Sequence, residues 1–512
     1  MHSQTNSQTT NGRAPNGQTT NGPTVKRVVI AGGGTAGWVT AAALSKHLGP
    51  LIEITLVESD EIGTIGVGEA TIPTIRTFHR FLEIDERDFL RATKASFKLG
   101  IAFEDWGKIG DRYLHSFGQL GHSTWMAGFH HMWLQAVEDG YGGDLDQYCF
   151  ESQAAKAGRF ATSDTSNTNY AYHLDATLYA RFLRQFSEAR GARRVEGRIA
   201  TVRQHPGTGF IEALVLADGR EIAGDLFIDC TGFRGLLIEQ TLETGYEDWS
   251  HWLPTDSALA AQTASIRPAL PYTIARAHEA GWQWRIPLQH RVGNGLVYSS
   301  GHMSDERAQV AFRERLDGEP LAEPRLIRYR TGRRKAAWAK NCVALGLSSG
   351  FVEPLESTSI HLIMIGVTRL VQNFPFGGIN PAMVRHYNAL AQNELERIRD
   401  FVILHYALNE RDDAPFWRQC RAVELPDTLA ERIALFREDG QAYQGADDLF
   451  RTDSWVQVML GQRLRPIAHH RLGQLLPAGQ LRQALRDLAA NISNAVARMP
   501  AHQSFLDAYV AS

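Results

Sequence analysis

The stretch Gly32–Gly37, GGGTAG, satisfies G-x-G-x-x-G through Gly32, Gly34 and Gly37. The first glycine permits a tight turn and the second lets the backbone approach a pyrophosphate. The third lets a helix pack close to its strand, so that amides at Thr35 and Ala36 face the phosphates. Glu58 follows about twenty residues after the start of that helix, at the end of the next apolar run, where a carboxylate can hold a ribose hydroxyl. This combination serves an adenine dinucleotide, and its spacing leaves FAD and NAD both open. Two further segments carry reactive residue types. In FKLGIAF, Lys98 is flanked by Phe97, Leu99, Ile101 and Phe103; such a lysine either snorkels out of an amphipathic element or is sequestered among apolar groups. In EPLESTS, Glu353 and Glu356 precede a helix-like stretch, where the first turn favours a carboxylate. A third segment, GWQWRIP, places Trp282, Trp284 and Ile286 on one face of a strand and Gln283 and Arg285 on the other. It is either plain core or a wall of indole beside something reactive.

The elements that must hold these residues are legible around them. VKRVVIA is a β-branched run, TAGWVTAAALSKHLG has helical spacing, and IEITLVES is a second buried strand; together they make a βαβ unit. EALVLADGREIAGDLFIDCTG predicts a hairpin turning at Asp218–Gly219, then another apolar strand. That strand and NCVALGLSSG each end in a small-residue turn, at Phe227–Gly235 and Ala344–Pro354. Many FAD-dependent oxygenases close their cofactor site with two distant turns of this kind, which an NAD domain does not need, so FAD is favoured. A helix is expected over Ser357–Asn373, and the chain turns mainly helical from about Asn380. The fold class is therefore α/β: an FAD-binding Rossmann-like module over residues 25–400, with interleaved substrate segments, and a packed helical lobe over 401–512. Residues 1–24 are almost all polar with Gly and Pro interspersed and are expected to be a disordered tail.

Bulk properties exclude several classes. The 512 residues are 43% hydrophobic and 21% charged with a formal net charge of −3, which gives no electrostatic reason to expect nucleic acid or an anionic membrane as partner. No apolar run of about 18 residues indicates a membrane span. Cys149, Cys230, Cys342 and Cys420 form neither a disulfide framework nor a CxxC metal site. No signal-peptide pattern opens the chain, and a reducing cytoplasm is the expected compartment. The pairs His130–His131 and His469–His470 lack metal-ligand spacing, and no metal is expected.

GGGTAGW, IGVGEATIP (Ile65–Pro73), FKLGIAFEDW, HSFG (His115–Gly118), GWQWRIP and EPLESTS together resemble the flavin-dependent tryptophan halogenases, in matching order from about Val25 to Phe416. The resemblance implies that reduced FAD (FADH2) and O2 convert chloride or bromide to hypohalous acid. The oxidant then passes through an internal tunnel to a lysine and a glutamate beside an aromatic substrate. The matching residues are Lys98 and Glu356, with Glu353 the competing acid. Halide would sit on the backbone amides of Thr358 and Ser359, the latter a position where the family often has glycine. Leu347 and Ile360 would lie against the flavin, Ala70 along the cofactor and Ile199 near the adenine. His115 and Phe117 would line the substrate pocket. Trp282, Trp284, Ile286 and Pro287 would form the barrier between flavin and substrate. A separate NAD(P)H flavin reductase is implied as partner, because no second nucleotide-binding turn is present; a homodimer is left open.

The family's tryptophan-specific members hold the amino acid with a Tyr-Tyr pair, a Glu and a Phe-Trp pair in their C-terminal part. Here QAYQGADDLFRTDSWVQVMLGQRLRP has one tyrosine, Tyr443, and neither pair. DLF-x4-W-x3-MLGQ resembles instead a subgroup that prefers indole and simple aromatics, with Phe450 and Trp455 as pocket candidates. The expected reaction is electrophilic halogenation of an indole-type or other electron-rich ring. The alternatives are a tryptophan halogenase proper, a flavoprotein aromatic monooxygenase that hydroxylates its substrate, and a non-catalytic FAD-binding protein.

Overall fold

The computed structural model describes residues 24–61, 68–163 and 166–511. The expected disordered tail therefore lies outside the described residues except for Thr24, as do Ile65–Val67 of the IGVGEATIP motif. The strand Arg27–Ala31 leads through the glycine turn into the helix Thr35–Leu48 and returns as the strand Glu53–Glu58. The two strands pair in parallel, Val28 beside Ile54 and Ala31 beside Val57. Leu226–Asp229 adds to the other side of Arg27–Ala31, and Cys342–Ala344 adds beyond it, both parallel. With Arg193–Glu196 beyond Glu53–Glu58 and the antiparallel edge Trp338–Ala339, the sheet has six strands. Its central strands read as continuous apolar runs because both faces are covered. The expected hairpin pairs Ile211–Leu216 with Glu221–Ala223.

A second, seven-stranded sheet runs in the order Arg325–Arg328, Ser257–Ala264, Arg291–Tyr298, Gly281–Pro287, Thr273–His278, Gly100–Glu104, Arg112–Ser116. GWQWRIP is its central strand, and all seven of its residues are buried. The short strand Ser96–Lys98 lies at the edge of a third sheet, beside Ala171–Asp175 and with Gly68–Ala70 on the far side. The helical part contains Pro381–Ala407, Pro415–Ala422, Asp427–Asp439, Thr452–Gly461, Ala478–Ala497 and His502–Ala511. The first of these helices runs unbroken through residue 400, where the module was expected to give way to the lobe. One hydrophobic core joins the seven-stranded sheet to Phe401, Phe436, Trp455 and Leu485. Another joins the glycine-turn helix to Phe97, Tyr172 and, from the C-terminus, Leu506. The lobe is thus packed onto both sheets.

Candidate active site

The glycine turn is built for close approach. A Cβ on Gly37 would sit 1.9 Å from the carbonyl oxygen of Gly32, whereas one on Gly34 would meet nothing within 4 Å. Gly37 is therefore required for packing, and Gly34 faces open space. That space is a cavity of about 300 Å³ lined by Gly34, Thr35 and Ala36 at one end and by Leu355, Ser357 and Ser359 among its other walls. The two distant turns join it through Cys230, Gly232, Gly346 and Leu347. They are tied together by Asp229, whose carboxylate accepts the Leu237 and Ile238 amides at 2.8 Å and whose carbonyl accepts the Ser348 hydroxyl. Ala70 and Ile360 line the cavity. Glu58 ends its strand beside the turn and is already engaged by Arg194 Nε at 2.5 Å. Ile199 packs instead against the core around Val29 and Val57 and is not among the cavity's lining residues.

Trp282, Trp284 and Ile286 present their common face to the cavity, while Gln283 pairs with His278 and Arg285 with Asp317 on the opposite face. Trp284 Nε1 is buried with no acceptor among the described residues. An orphaned donor is costly inside a protein, and here its ring borders a cavity whose exposed lining is mainly apolar. The open glycine turn, the apolar walls and this free donor fit an extended dinucleotide such as FAD.

Lys98 and Glu356 converge from opposite ends of the sequence. Lys98 is fully buried on the edge strand; its Nζ donates to Thr71 O at 3.0 Å and to Ser357 Oγ at 2.9 Å. Burial pushes the ammonium down to about 7, opposed by the nearby charge of Glu356. Ser357 lines the cofactor cavity, so its hydroxyl connects that cavity to the lysine. The Phe117 ring centroid lies 5.2 Å from Nζ. Glu356 is 1% exposed. Burial would raise its carboxyl, but His115 and His405 overcome this and hold it down at about 2. His115 Nδ1 lies 2.9 and 3.1 Å from its two oxygens, and His405 Nε2 lies 2.7 Å from Oε1. Tyr113 Oη meets His405 Nδ1 at 3.0 Å, so Tyr113, His405, Glu356 and His115 lie side by side in one buried cluster.

Glu353, the competing acid, occupies a different niche. Thr255, Trp282 and Tyr406 donate to it at 2.6, 3.2 and 2.8 Å, and burial raises it to about 7. It anchors one indole of the GWQWRIP wall and does not face Lys98. Both Glu353 and Ser357 have left-handed backbone, φ 62° and 59°, so EPLES turns sharply at each end before the helix Ser359–Gln372 begins. Thr358 caps that helix, and its hydroxyl is fully buried without a partner among the described residues.

Phe401 and Phe450 both face the His115 ring, at 5.5 and 6.2 Å; they stack on each other at 3.7 Å, and Trp455 meets Phe401 edge-on at 4.8 Å. Ser357 lay within a motif already singled out. His405, Tyr113 and Phe401 carried no local signal, because only the fold brings their helix and strand to Glu356.

The tryptophan halogenase family matches this chain over residues 27–478. The tryptophan 6-halogenase of Streptomyces toxytricini is 39% identical over 441 residues, covering 80% of this chain and 84% of that protein. Among solved structures, a flavin-dependent halogenase from Xanthomonas campestris superimposes with a TM-score of 0.94 at 54% identity, covering 95% of this chain and 99% of that one. Another, from Brevundimonas sp. BAL3, gives 0.91 at 45% identity, with 95% and 99% covered. Among the described residues no helix is long and apolar enough to cross a membrane. The chain belongs to the tryptophan halogenase family and is a flavin-dependent halogenase, using reduced FAD, O2 and halide, a separate flavin reductase and an aromatic substrate.

Proposed function

We propose that this halogenase acts in the cytoplasm on an indole-type or other electron-rich aromatic, with Lys98 and Glu356 directing the halogen. The observation that carries the reading is the contact of Lys98 Nζ with Ser357 Oγ at 2.9 Å, which sets a buried ammonium against the wall of the cofactor cavity. The chemistry that reduced FAD supplies when bound is the oxidation of halide by O2 to hypohalous acid. Gly34, Thr35 and Ala36 would hold the pyrophosphate, Glu58 a ribose hydroxyl, and Leu347 and Ile360 the ring system. The amides of Thr358 and Ser359 would hold halide at a helix N-terminus, where the unpartnered Thr358 hydroxyl offers a further donor.

Lys98 spends two N–H groups on Thr71 and Ser357, and the third is free for the oxygen of hypohalous acid. As the aromatic carbon bonds to halogen, the oxygen–halogen bond breaks and the departing hydroxide takes the Lys98 proton, leaving as water. The carboxylate of Glu356, ionised because His115 and His405 hold it so, then accepts the ring proton as aromaticity returns. The barrier face of Trp282, Trp284 and Ile286 keeps the organic ring away from the cofactor while the small oxidant passes.

The single tyrosine in the C-terminal segment supports a simple aromatic over free tryptophan: Tyr443 is 41% exposed and lies under Arg432. Discrimination needs groups that pair with the amino acid's own charges. The test supplies a flavin reductase, NADH, FAD and bromide or chloride to a panel containing indole and tryptophan, and reads halogen isotope patterns by mass spectrometry. Halogenated indole formed faster than halogenated tryptophan is expected, and the reverse order overturns the substrate assignment. Lys98→Ala should abolish halogenation while flavin oxidation continues; persistent halogenation sinks the role of Lys98.

A further inference from the structure

We infer that His502 is a positioning residue for Lys98, and that the helix His502–Ala511 clamps the strand on which the lysine stands. The inference rests on the reading of Lys98 as the group that directs the oxidant.

The strand Ser96–Lys98 is three residues long and has a neighbour on one side only. A strand this short at a sheet edge holds its geometry poorly unless its outer groups find partners. The outward N–H of Phe97 finds His502, whose Nε2 accepts it at 3.3 Å. On the other side of the ring, Nδ1 faces the carbonyl of Ala269 at 2.7 Å. These partners fix the chemical form of the ring: Nδ1 carries the proton and Nε2 is bare, because a second N–H would confront the Phe97 amide. Burial, which pushes His502 down to about 4, keeps the ring in that neutral form at neutral pH. Two residues past Ala269, Pro271 O accepts the Leu99 amide at 2.7 Å. The peptide groups on both sides of Lys98 are therefore tied to one unit made of His502 and the segment 269–271.

The helix that brings His502 is itself secured. The His502 amide donates to Gly158 O at 2.9 Å, Arg91 Nε donates to Val510 O at 2.8 Å, and the Tyr509 hydroxyl donates to Glu86 at 2.6 Å. Gln503 Oε1 accepts the Ala269 amide at 3.2 Å. Phe505 and Tyr509 pack on the Phe97 ring at 5.8 Å each. This helix lies past residue 478, where the match to the family model ends, and it brings the C-terminal part of the chain to the strand that carries Lys98.

With its strand loosened, Lys98 would keep its charge but lose its aim, and a displacement of about 1 Å can cost about a hundredfold in a directed reaction. The test compares His502→Phe, which fills the volume without hydrogen bonds, with His502→Gln, whose amide can accept from Phe97 and donate to Ala269. In H502F, halogenated product per flavin oxidised should fall at least tenfold with the KM for the aromatic unchanged. Escaping hypohalous acid should appear in an added diketone trap, and hydrogen exchange should quicken in the peptide holding Phe97. H502Q should recover most of the product ratio. A folded H502F with an unchanged product ratio overturns the inference. Should H502F not fold, Gln503→Ala decides: it removes the acceptor from Ala269 at a half-buried site, so faster exchange at Phe97 with a lower product ratio supports the clamp, and no change in either overturns it. Lys98→Ala in the same assay separates the two claims. If it leaves halogenation intact, the reading of Lys98 fails; if it abolishes halogenation while H502F changes nothing, only the clamp fails.

Discussion

Replacing Lys98 by Met should stabilise the protein at pH 6.5 while abolishing halogenation. The charged lysine is fully buried, and its ammonium is pushed from an ordinary 10.5 down to about 7. Each tenfold loss of proton affinity corresponds to about 1.36 kcal/mol, so the charged form costs the fold about 4–5 kcal/mol. The sign follows from proton counting. Between pH 7 and 10.5 the unfolded chain holds the proton and the folded chain does not, so wild-type stability rises with pH across that window and the penalty is fully present below 7. Met has similar length and carries no charge, but it leaves Thr71 O and Ser357 Oγ without the donor they have now, at about 1–3 kcal/mol for an orphaned buried group. A net gain of about 2 kcal/mol is expected at pH 6.5. The orphan cost is the same at every pH, so the advantage of the variant should shrink by about 2 kcal/mol between pH 7 and 9. Urea midpoints followed by tryptophan fluorescence at pH 6.5, 7.5 and 9.0 measure this. A variant less stable than wild type by one constant margin at all three values would refute the reasoning, because Lys98 would then be as comfortable charged as any surface lysine.

Glu356→Gln should lower the halogenation rate about 10²–10³-fold, the usual contribution of a positioned base, with FAD affinity changed less than twofold by fluorescence titration. Glu353→Gln should behave differently: its amide can keep Trp282 and Tyr406 on oxygen and donate to Thr255, so product formation should stay within about threefold of wild type. Because burial raises Glu353 to about 7, the folded chain keeps a proton there that the unfolded chain loses, and wild-type stability falls between about pH 4.5 and 7. The Gln variant should therefore gain on wild type as pH rises through that range, seen as diverging melting temperatures. Gly37→Ala would place a Cβ 1.9 Å from Gly32 O and should weaken FAD binding at least tenfold by flavin-fluorescence titration; a wild-type affinity would contradict the packing argument.

The sequence pattern was enough for the cofactor half of the molecule because that half is local. A β-branched strand, a glycine turn and a helix lie within about twenty residues, and each residue type has one dominant conformational reason to be there. The proposed pair could be singled out only through motifs whose order matches a family, since Lys98 and Glu356 are 258 positions apart and neither segment alone distinguishes a reactive group from a core or capping one. Groups around Glu356 were not legible. His405 and Phe401 sit in the 27-residue helix Pro381–Ala407, whose pattern specifies a buried face without saying what that face meets. Phe450 and Trp455 were singled out as pocket candidates, but their stacking with Phe401, and that of Phe450 with His115, could not be read from their segment. Ile199 opens a half-exposed edge strand and packs partly against the core around Val29 and Val57, a placement its local pattern does not specify.

The helix Pro381–Ala407 presents Phe401 toward His115, His405 toward Glu356 and Tyr406 toward Glu353. The ring packed on His115 and the imidazole beside Glu356 are therefore mounted on one rigid rod, one turn apart. For anyone adapting the enzyme to bulkier rings, this couples two properties that would ideally be tuned separately. Trimming Phe401 in place would open space beside His115 and leave the rod where it is. Substitutions that gain room by sliding or tilting the rod drag His405 off the carboxylate and Tyr406 off the anchor of the Trp282 wall. Libraries confined to side chains at Phe401, Phe450 and Trp455 should thus yield broadened scope with turnover retained, whereas insertions in the loops flanking this helix should trade the two against each other.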